Sequence, residues 1–269
     1  MKKNVIKLLV LFSLSLSLII SSTVYASTTD EVAKIKASGK IRMATSADYA
    51  PYEFHKLING KDTIIGFDVE IAKEIAKDIG VKLEIQDVSF DGLLPFLNQG
   101  KADFVIAGMT PDDKRKKAVD FSKIYYYAKQ AVMVRKEDAG KYKTIASLAN
   151  KTVGAQSTTV QEDIVKEQMT KSRYVALSKI PDLIMQLQNK KLDAIVVELP
   201  VANGYALNNK DILVSNIKVK EDTGGSAVAV KKGSSNLVKQ INKTLDKLIK
   251  NGTIDKFVKE ANEQNVVKK

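Results

Sequence analysis

The chain has 269 residues, is 44% hydrophobic and carries a formal net charge of +12. That composition supports a sizeable core in one or two domains and excludes a disordered chain. There is no cysteine and one histidine, His55. This excludes disulfides, thiolate metal sites and a cysteine-linked lipid, and leaves no basis for a histidine triad or a zinc site, so neither metal nor cofactor is expected.

Residues 1–26 read as an export signal, with Lys2, Lys3 and Lys7, the apolar run "LLVLFSLSLSLII", and Val24 and Ala26 as the small residues before a cut. The apolar run is shorter than the about 20 residues a membrane span needs. Export predicts a periplasmic or extracellular protein. The positive charge invites a nucleic-acid partner, but nearly all the lysines adjoin Asp or Glu on helical stretches such as "EIAKEIAKD" and "VKQINKTLDKLIK". That is the pattern of a solvated face, so no nucleic acid is expected.

After a short arm, "TTDEVAKIKASGK", the segment "IRMATSADYAPYEF" reads as a strand and an aromatic loop. In "GFDVEIAKEIAKDIG", Phe67, Ile71, Ile75 and Ile79 recur at helical spacing and Gly80 ends the helix. A strand "VKLEIQDV", a short helix "DGLLPFLNQG" and a buried strand "ADFVIAGM" follow. Such alternation predicts α/β architecture with parallel sheets under helices. An internal echo extends it: "LLPFLNQGKADFVIAG" returns as "LIMQLQNKKLDAIVVE", pairing Leu93 with Leu183, Leu97 with Leu187, Lys101 with Lys191 and Asp103 with Asp193. Two amphipathic units can share periodicity by chance, yet the echo suggests two lobes of one plan. Gly108 then corresponds to Glu198, and both strand ends face one cleft. "IYYYAKQAVMVRK" and "TGGSAVAVKKGSS" read as two crossings between lobes, followed by a helical tail with Leu237, Ile241, Leu245 and Leu248 on one face. The predicted division is lobe 1 at 27–130, lobe 2 at 131–225 and a return to lobe 1 at 226–269, joined by a two-stranded hinge.

In "GMTPDDKRKK", Thr110 is expected to cap a helix, with proline at the first helical position and Asp113 completing an approximate capping box. Arg115 adds a planar fork that fits a carboxylate, and Gly108 allows close backbone approach. No phosphate-binding glycine loop is present. In "VGAQSTTVQED", Thr159 and Glu162 form a second capping pattern. Glu198 suits an ammonium group, and an exposed strand-end acid is the equally simple alternative. Tyr49, Tyr52, Phe54 and Phe90 fall in predicted loops, either plugging the core or stacking on a ligand. Together these describe a binder of a zwitterion.

The ordered motifs "SADYAPYEF", "GFDVEIAKEIAK", "FDGLLPFLNQGKADFVIAGMT", "KRKKAVDFS", "VGAQSTTVQE" and "KLDAIVVE" cover nearly the whole mature chain and resemble the family 3 solute-binding proteins of polar amino-acid ABC importers. The resemblance implies a two-lobed type II periplasmic-binding fold, two doubly wound sheets on a two-stranded hinge. It implies a monomer that closes on a free amino acid and delivers it to a membrane permease. It also implies that Arg115, Thr110 and the Gly108 backbone, helped by the Thr159 helix start, hold the α-carboxylate and that Glu198 holds the α-ammonium. Tyr49 and Phe90 would sandwich the side chain, with Ser46, Ala107, Gln156 and Thr158 lining it. The chain departs from the family in Glu198, where Asp is commoner, in Thr158, where glycine is common, and in Ser46, where some binders of basic amino acids carry Asp. Arginine, lysine, histidine and glutamine stay open as ligands, with Asp48 and Glu53 nearby. Two other classes compete: a dehydratase on the same fold, and a surface sensor or adhesin.

Overall fold

The computed structural model describes residues 30–220 and 224–266, so the expected export signal lies outside the described residues. The first part of the chain forms α1 (Glu31–Ser38), β1 (Lys40–Thr45), β2 (Asp48–Tyr49), β3 (Glu53–Ile58), β4 (Lys61–Ile65) and α2 (Phe67–Ile79). Then come β5 (Lys82–Asp87), α3 (Leu93–Asn98), β6 (Phe104–Val105), α4 (Asp113–Ala118) and β7 (Val119–Tyr126). The expected arm is therefore a helix, α1, packed on the later tail. The expected aromatic loop is the start of a three-stranded meander, β2-β3-β4. Asn59 and Gly60 turn that meander with φ of 53° and 77°, the left-handed pair that an Asn-Gly hairpin supplies. α2 behaves as its spacing predicts: Phe67, Ile71, Ile75 and Ile79 are buried, and Gly80 at φ 85° donates to the Ala76 and Lys77 carbonyls.

The second part forms β8 (Gln130–Arg135), β9 (Thr152–Gln156), α5 (Val160–Gln168), β10 (Arg173–Leu177), α6 (Ile180–Gln188), β11 (Ala194–Glu198), α7 (Leu199–Asn208) and β12 (Ile212–Val214). The chain ends in β13 (Ser226–Lys231), α8 (Ser235–Lys250) and α9 (Thr253–Asn265). One sheet has the order β5-β1-β6-β13-β7 and the other β10-β9-β11-β8-β12. In each, three parallel strands wind out from a middle strand, one strand (β13 or β8) runs antiparallel beside them, and the edge strand (β7 or β12) pairs antiparallel with that one and so runs in the wound direction. The sheets are thus mixed rather than wholly parallel, because β13 and β8 run back against the wound strands. β13 lies in the first sheet although it follows the whole of the second, so the chain passes between the two units twice. At the return, Gly225 has φ 63°, and a Cβ there would lie 2.5 Å from Ile124 Cγ2, so only glycine fits.

The internal echo is a structural repeat. Leu93, Leu97, Leu183 and Leu187 are all fully buried under their sheets. Asp103 accepts from the Arg42 amide at 2.7 Å and returns its own N–H to the Arg42 carbonyl at 2.8 Å. Asp193 does the same with Thr152 of β9, at 2.9 and 2.7 Å. Each aspartate therefore ties the entry of the third wound strand to the first, the same lock in both units. Leu237, Ile241, Leu245 and Leu248 of α8 are buried against the first sheet, each side chain contributing about 1.5–3 kcal/mol by leaving water. α9 packs with α8 on α2, so the tail returns to the first unit.

Candidate functional site

The carboxyl ends of the wound strands converge between the two units. Ser46 follows β1, Ala107 and Gly108 follow β6, Gln156 ends β9 and Glu198 ends β11. One narrow cavity there is lined by Ser46, Asp48, Tyr49, Phe90, Ala107, Gly108, Thr110, Arg115, Gln156 and Thr159, together with Val160 and Gln161. Nine of the residues singled out from sequence thus share one space. Thr158 and Glu198 do not line it.

Arg115 is the third residue of α4, and the helix start differs from expectation. Thr110 is not the cap: Asp112 is, its carboxylate accepting from the Arg115 amide at 2.7 Å. The Asp112 carboxylate, a stronger acceptor than a hydroxyl, takes the Arg115 amide, so the helix begins two residues later than expected. Thr110 contributes its carbonyl instead, which accepts from Arg115 Nη1 at 2.7 Å. Arg115 Nη2 donates to the Thr158 carbonyl of the opposite unit at 2.7 Å, Nε lies 3.3 Å from Asp112, and the guanidinium stacks 5.3 Å from the Phe90 ring centre. Burial lowers its pKa, against the charges of Asp112 and Asp163.

Gly108 has φ 55°, and a Cβ there would lie 3.2 Å from Tyr49 Cε1. Its N–H donates to Asp68 Oδ2 at 2.9 Å, and the Tyr125 hydroxyl donates to the same oxygen at 2.8 Å. Asp68 is a positioning residue that sequence reasoning missed; the available signal was an acid beside Phe67 on the buried face of α2. Thr159 does cap α5, accepting from the Glu162 amide at 3.2 Å and donating to the Gln156 carbonyl at 2.7 Å. The reciprocal half of the box is displaced by one residue, since Glu162 accepts from the Thr158 amide at 2.6 Å. Thr158 itself sits at φ 63°, a left-handed conformation strained for a β-branched residue. Gln156 is buried and donates to the Ser178 carbonyl at 3.0 Å.

Glu198 is 4% exposed and one of its carboxylate oxygens has no hydrogen-bond partner. Burial pushes its pKa up to about 7, with the Tyr52 hydroxyl pulling it down in part and the Asp68 charge adding to the rise. Its neighbours Tyr49 and Tyr52 are themselves 5.3 Å apart between ring centres. Tyr52 and Glu53 are fully buried, so Glu53 does not face solvent. Burial and the charge of Asp68 push Glu53 well above the carboxylate range, and neither Glu53 oxygen has a hydrogen-bond partner. Tyr49 and Phe54 lie in strands and Phe90 in a 3-10 turn, rather than in loops. The arrangement offers a guanidinium, aromatic rings and the Asp48 carboxylate around one space, with the buried Glu198 outside its lining. His55 lines a separate groove, and among the described residues no cluster of His, Cys, Asp or Glu is suited to a metal ion.

The sequence model of the bacterial extracellular solute-binding proteins, family 3, matches residues 41–263. The chain is 38% identical over 225 residues to the arginine-binding extracellular protein ArtP of Bacillus subtilis, covering 82% of this chain and 85% of that one. It also resembles the crystal structure of an amino acid ABC transporter substrate-binding protein from Streptococcus pneumoniae bound to L-arginine. That match has a TM-score of 0.84 and 40% identity, covering 86% of this chain and 97% of the other. The ancestral amino acid-binding protein AncCDT-1, a precursor of cyclohexadienyl dehydratase, matches with a TM-score of 0.78 and 32% identity, covering 86% and 98%. The matched span takes in both sheets and every strand end that builds the cavity, and the chain belongs to the bacterial extracellular solute-binding proteins, family 3.

Proposed function

We propose that this protein is the exported receptor of an amino-acid ABC importer and that it closes on a basic amino acid, arginine foremost, before delivering it to the membrane permease. The observation that carries the reading is the position of Arg115, whose guanidinium bridges the two units between the Thr110 and Thr158 carbonyls. An α-carboxylate entering there meets a fork that both halves already frame, while the buried Glu198 carboxylate lacks a cation. Each half supplies part of the grip, so ligand favours the closed form by its differential affinity. Closure turns about the paired crossings that divide 27–130 and 226–269 from 131–225. The arginine ligands of the Bacillus and Streptococcus relatives support arginine over the neutral alternatives.

The second reading, a dehydratase, is favoured by one observation: Glu198, with its pKa raised to about 7, has the properties of a general acid. A thermal-shift screen of the mature chain against the twenty amino acids tests the first. Arginine at about 100 times its Kd adds about 2.7 kcal/mol to stability, an upward shift of roughly 5–10 °C for a chain of this size. No response to any amino acid, with turnover of a cyclohexadienyl substrate, would transfer the assignment to the enzyme.

A further inference from the structure

We propose, on the reading that the ligand is a basic amino acid, that Asp48 is the residue that selects a positively charged side chain and couples that selection to closure. Asp48 lines the narrow cavity beside Ser46 and Tyr49. It also lines a wider groove of about 690 Å³ between the β2-β3-β4 meander and helices α6 and α7. It therefore stands where the ligand cavity borders that groove. Arg115 touches Thr110, Phe90 and Thr158, whereas Asp48 touches Ser46, Ile180 and Tyr205, so the two charges serve different parts of the site.

The hydrogen-bond donors to the Asp48 carboxylate are neutral, and Lys179 acts on it only through its charge, against that of Asp87. The Ser46 hydroxyl donates to it at 3.4 Å and the Ile180 amide at 3.2 Å, both long contacts. Among the described residues no lysine, arginine or histidine forms an ion pair with it. A largely desolvated carboxylate with only weak neutral donors is stabilised by a cation that also brings N–H groups, which a guanidinium or ammonium does. Ser46 carries no charge; Asp48, two residues on, supplies an acid in the same cavity.

The contact to Ile180 links this recognition to movement. Ile180 is the first residue of α6, and the preceding Lys179 provides no side-chain cap. Asp48 caps the helix from the opposite unit, and the Tyr205 hydroxyl of α7 donates to the Asp48 carbonyl at 3.1 Å. The Asp48 carboxylate reaches this position only when the two units are together, so a cation drawn to it favours the closed form.

Calorimetric titration of the mature chain with arginine and with citrulline, which replaces the guanidinium by a neutral urea, tests the proposal in the native protein and in Asp48→Asn. The native chain is expected to prefer arginine at least tenfold. In Asp48→Asn the arginine Kd should rise at least tenfold, the loss expected for one charge-assisted hydrogen bond. Citrulline should change less than threefold, because the asparagine carbonyl still accepts from Ile180. Asp48→Ser, which keeps a smaller acceptor, is expected to lose the preference in the same way. An arginine-to-citrulline ratio unchanged in both variants, or an equal loss for both ligands, overturns the role of Asp48. Failure of the native chain to bind either ligand counts instead against the basic-amino-acid reading on which the proposal rests.

Discussion

Replacing Arg115 by lysine separates a clamp from a core cation. The guanidinium makes hydrogen bonds of 2.7 Å to the Thr110 and Thr158 carbonyls, lies 3.3 Å from Asp112, and stacks on Phe90 at 5.3 Å. Lysine keeps the charge but is a point donor with no planar face, so it can serve one carbonyl at most and loses the stack. In the ligand-free protein the loss is one charge-assisted hydrogen bond between the units, about 1.5–3 kcal/mol, and a stack worth about 0.5–1 kcal/mol. Part of this returns as water reaches the freed carbonyl, leaving a net cost of roughly 1–2 kcal/mol and a fall of about 2–8 °C in Tm. For ligand, two-point contact with the carboxylate becomes one-point, and the Kd should rise by about 10- to 100-fold. Calorimetric titration gives the Kd, and small-angle scattering with and without arginine reads closure. An affinity within threefold of native, with closure intact, would refute the clamp. Global unfolding would refute it differently, by showing that the guanidinium serves the fold rather than the ligand.

Two further outcomes follow from the backbone and the buried acids. Thr158→Gly removes a side chain held at φ 63°; relief of strain of about 1–3 kcal/mol exceeds the entropic cost of glycine of about 0.5–1 kcal/mol. The Tm should rise by a few degrees with arginine affinity kept within threefold, and a lower Tm in differential scanning calorimetry would refute this. The pKa of Glu198 is raised to about 7 by burial, and that of Asp48 to about 6. Because the folded state holds these protons more tightly than the unfolded chain, their contribution to ligand-free stability is greatest below about pH 4 and declines as pH rises to 6 and 7. Ligand binding has the opposite sign, since an ammonium pairs with the ionised acid. The arginine-induced shift in Tm should therefore grow from pH 5 to about 7 and then level off; a shift constant from pH 5 to 8 would contradict the role given to Glu198.

What was legible in the sequence was whatever depends on local periodicity. The α2 stripe and the α8 face recur every few residues, Gly80 marks the α2 stop locally, and the helix-strand unit with Asp103 returns as a whole with Asp193; the structure retains each. The misplaced features depend on competition between neighbours. Thr110 and Asp112 can each cap a helix, and the residue pattern alone does not decide between them. β2 is two residues long, too short for any alternation to mark, so the meander passed for a loop.

The buried acids were hidden for a different reason. On a helix or strand considered alone, Asp68, Glu53 and Glu198 look like solvated charges, because local pattern carries no information about what covers a position. Their burial is created where α2, the meander and the end of β11 meet, and only there are Asp68 and Glu53 both pushed up in pKa while one Glu198 oxygen is left without a partner. An acid that tertiary contact has stripped of water raises the free energy of the empty site. On the proposed reading, a ligand ammonium offsets that penalty on arrival, and the cost of burying Glu198 then becomes part of the preference for a zwitterion over a simple carboxylate.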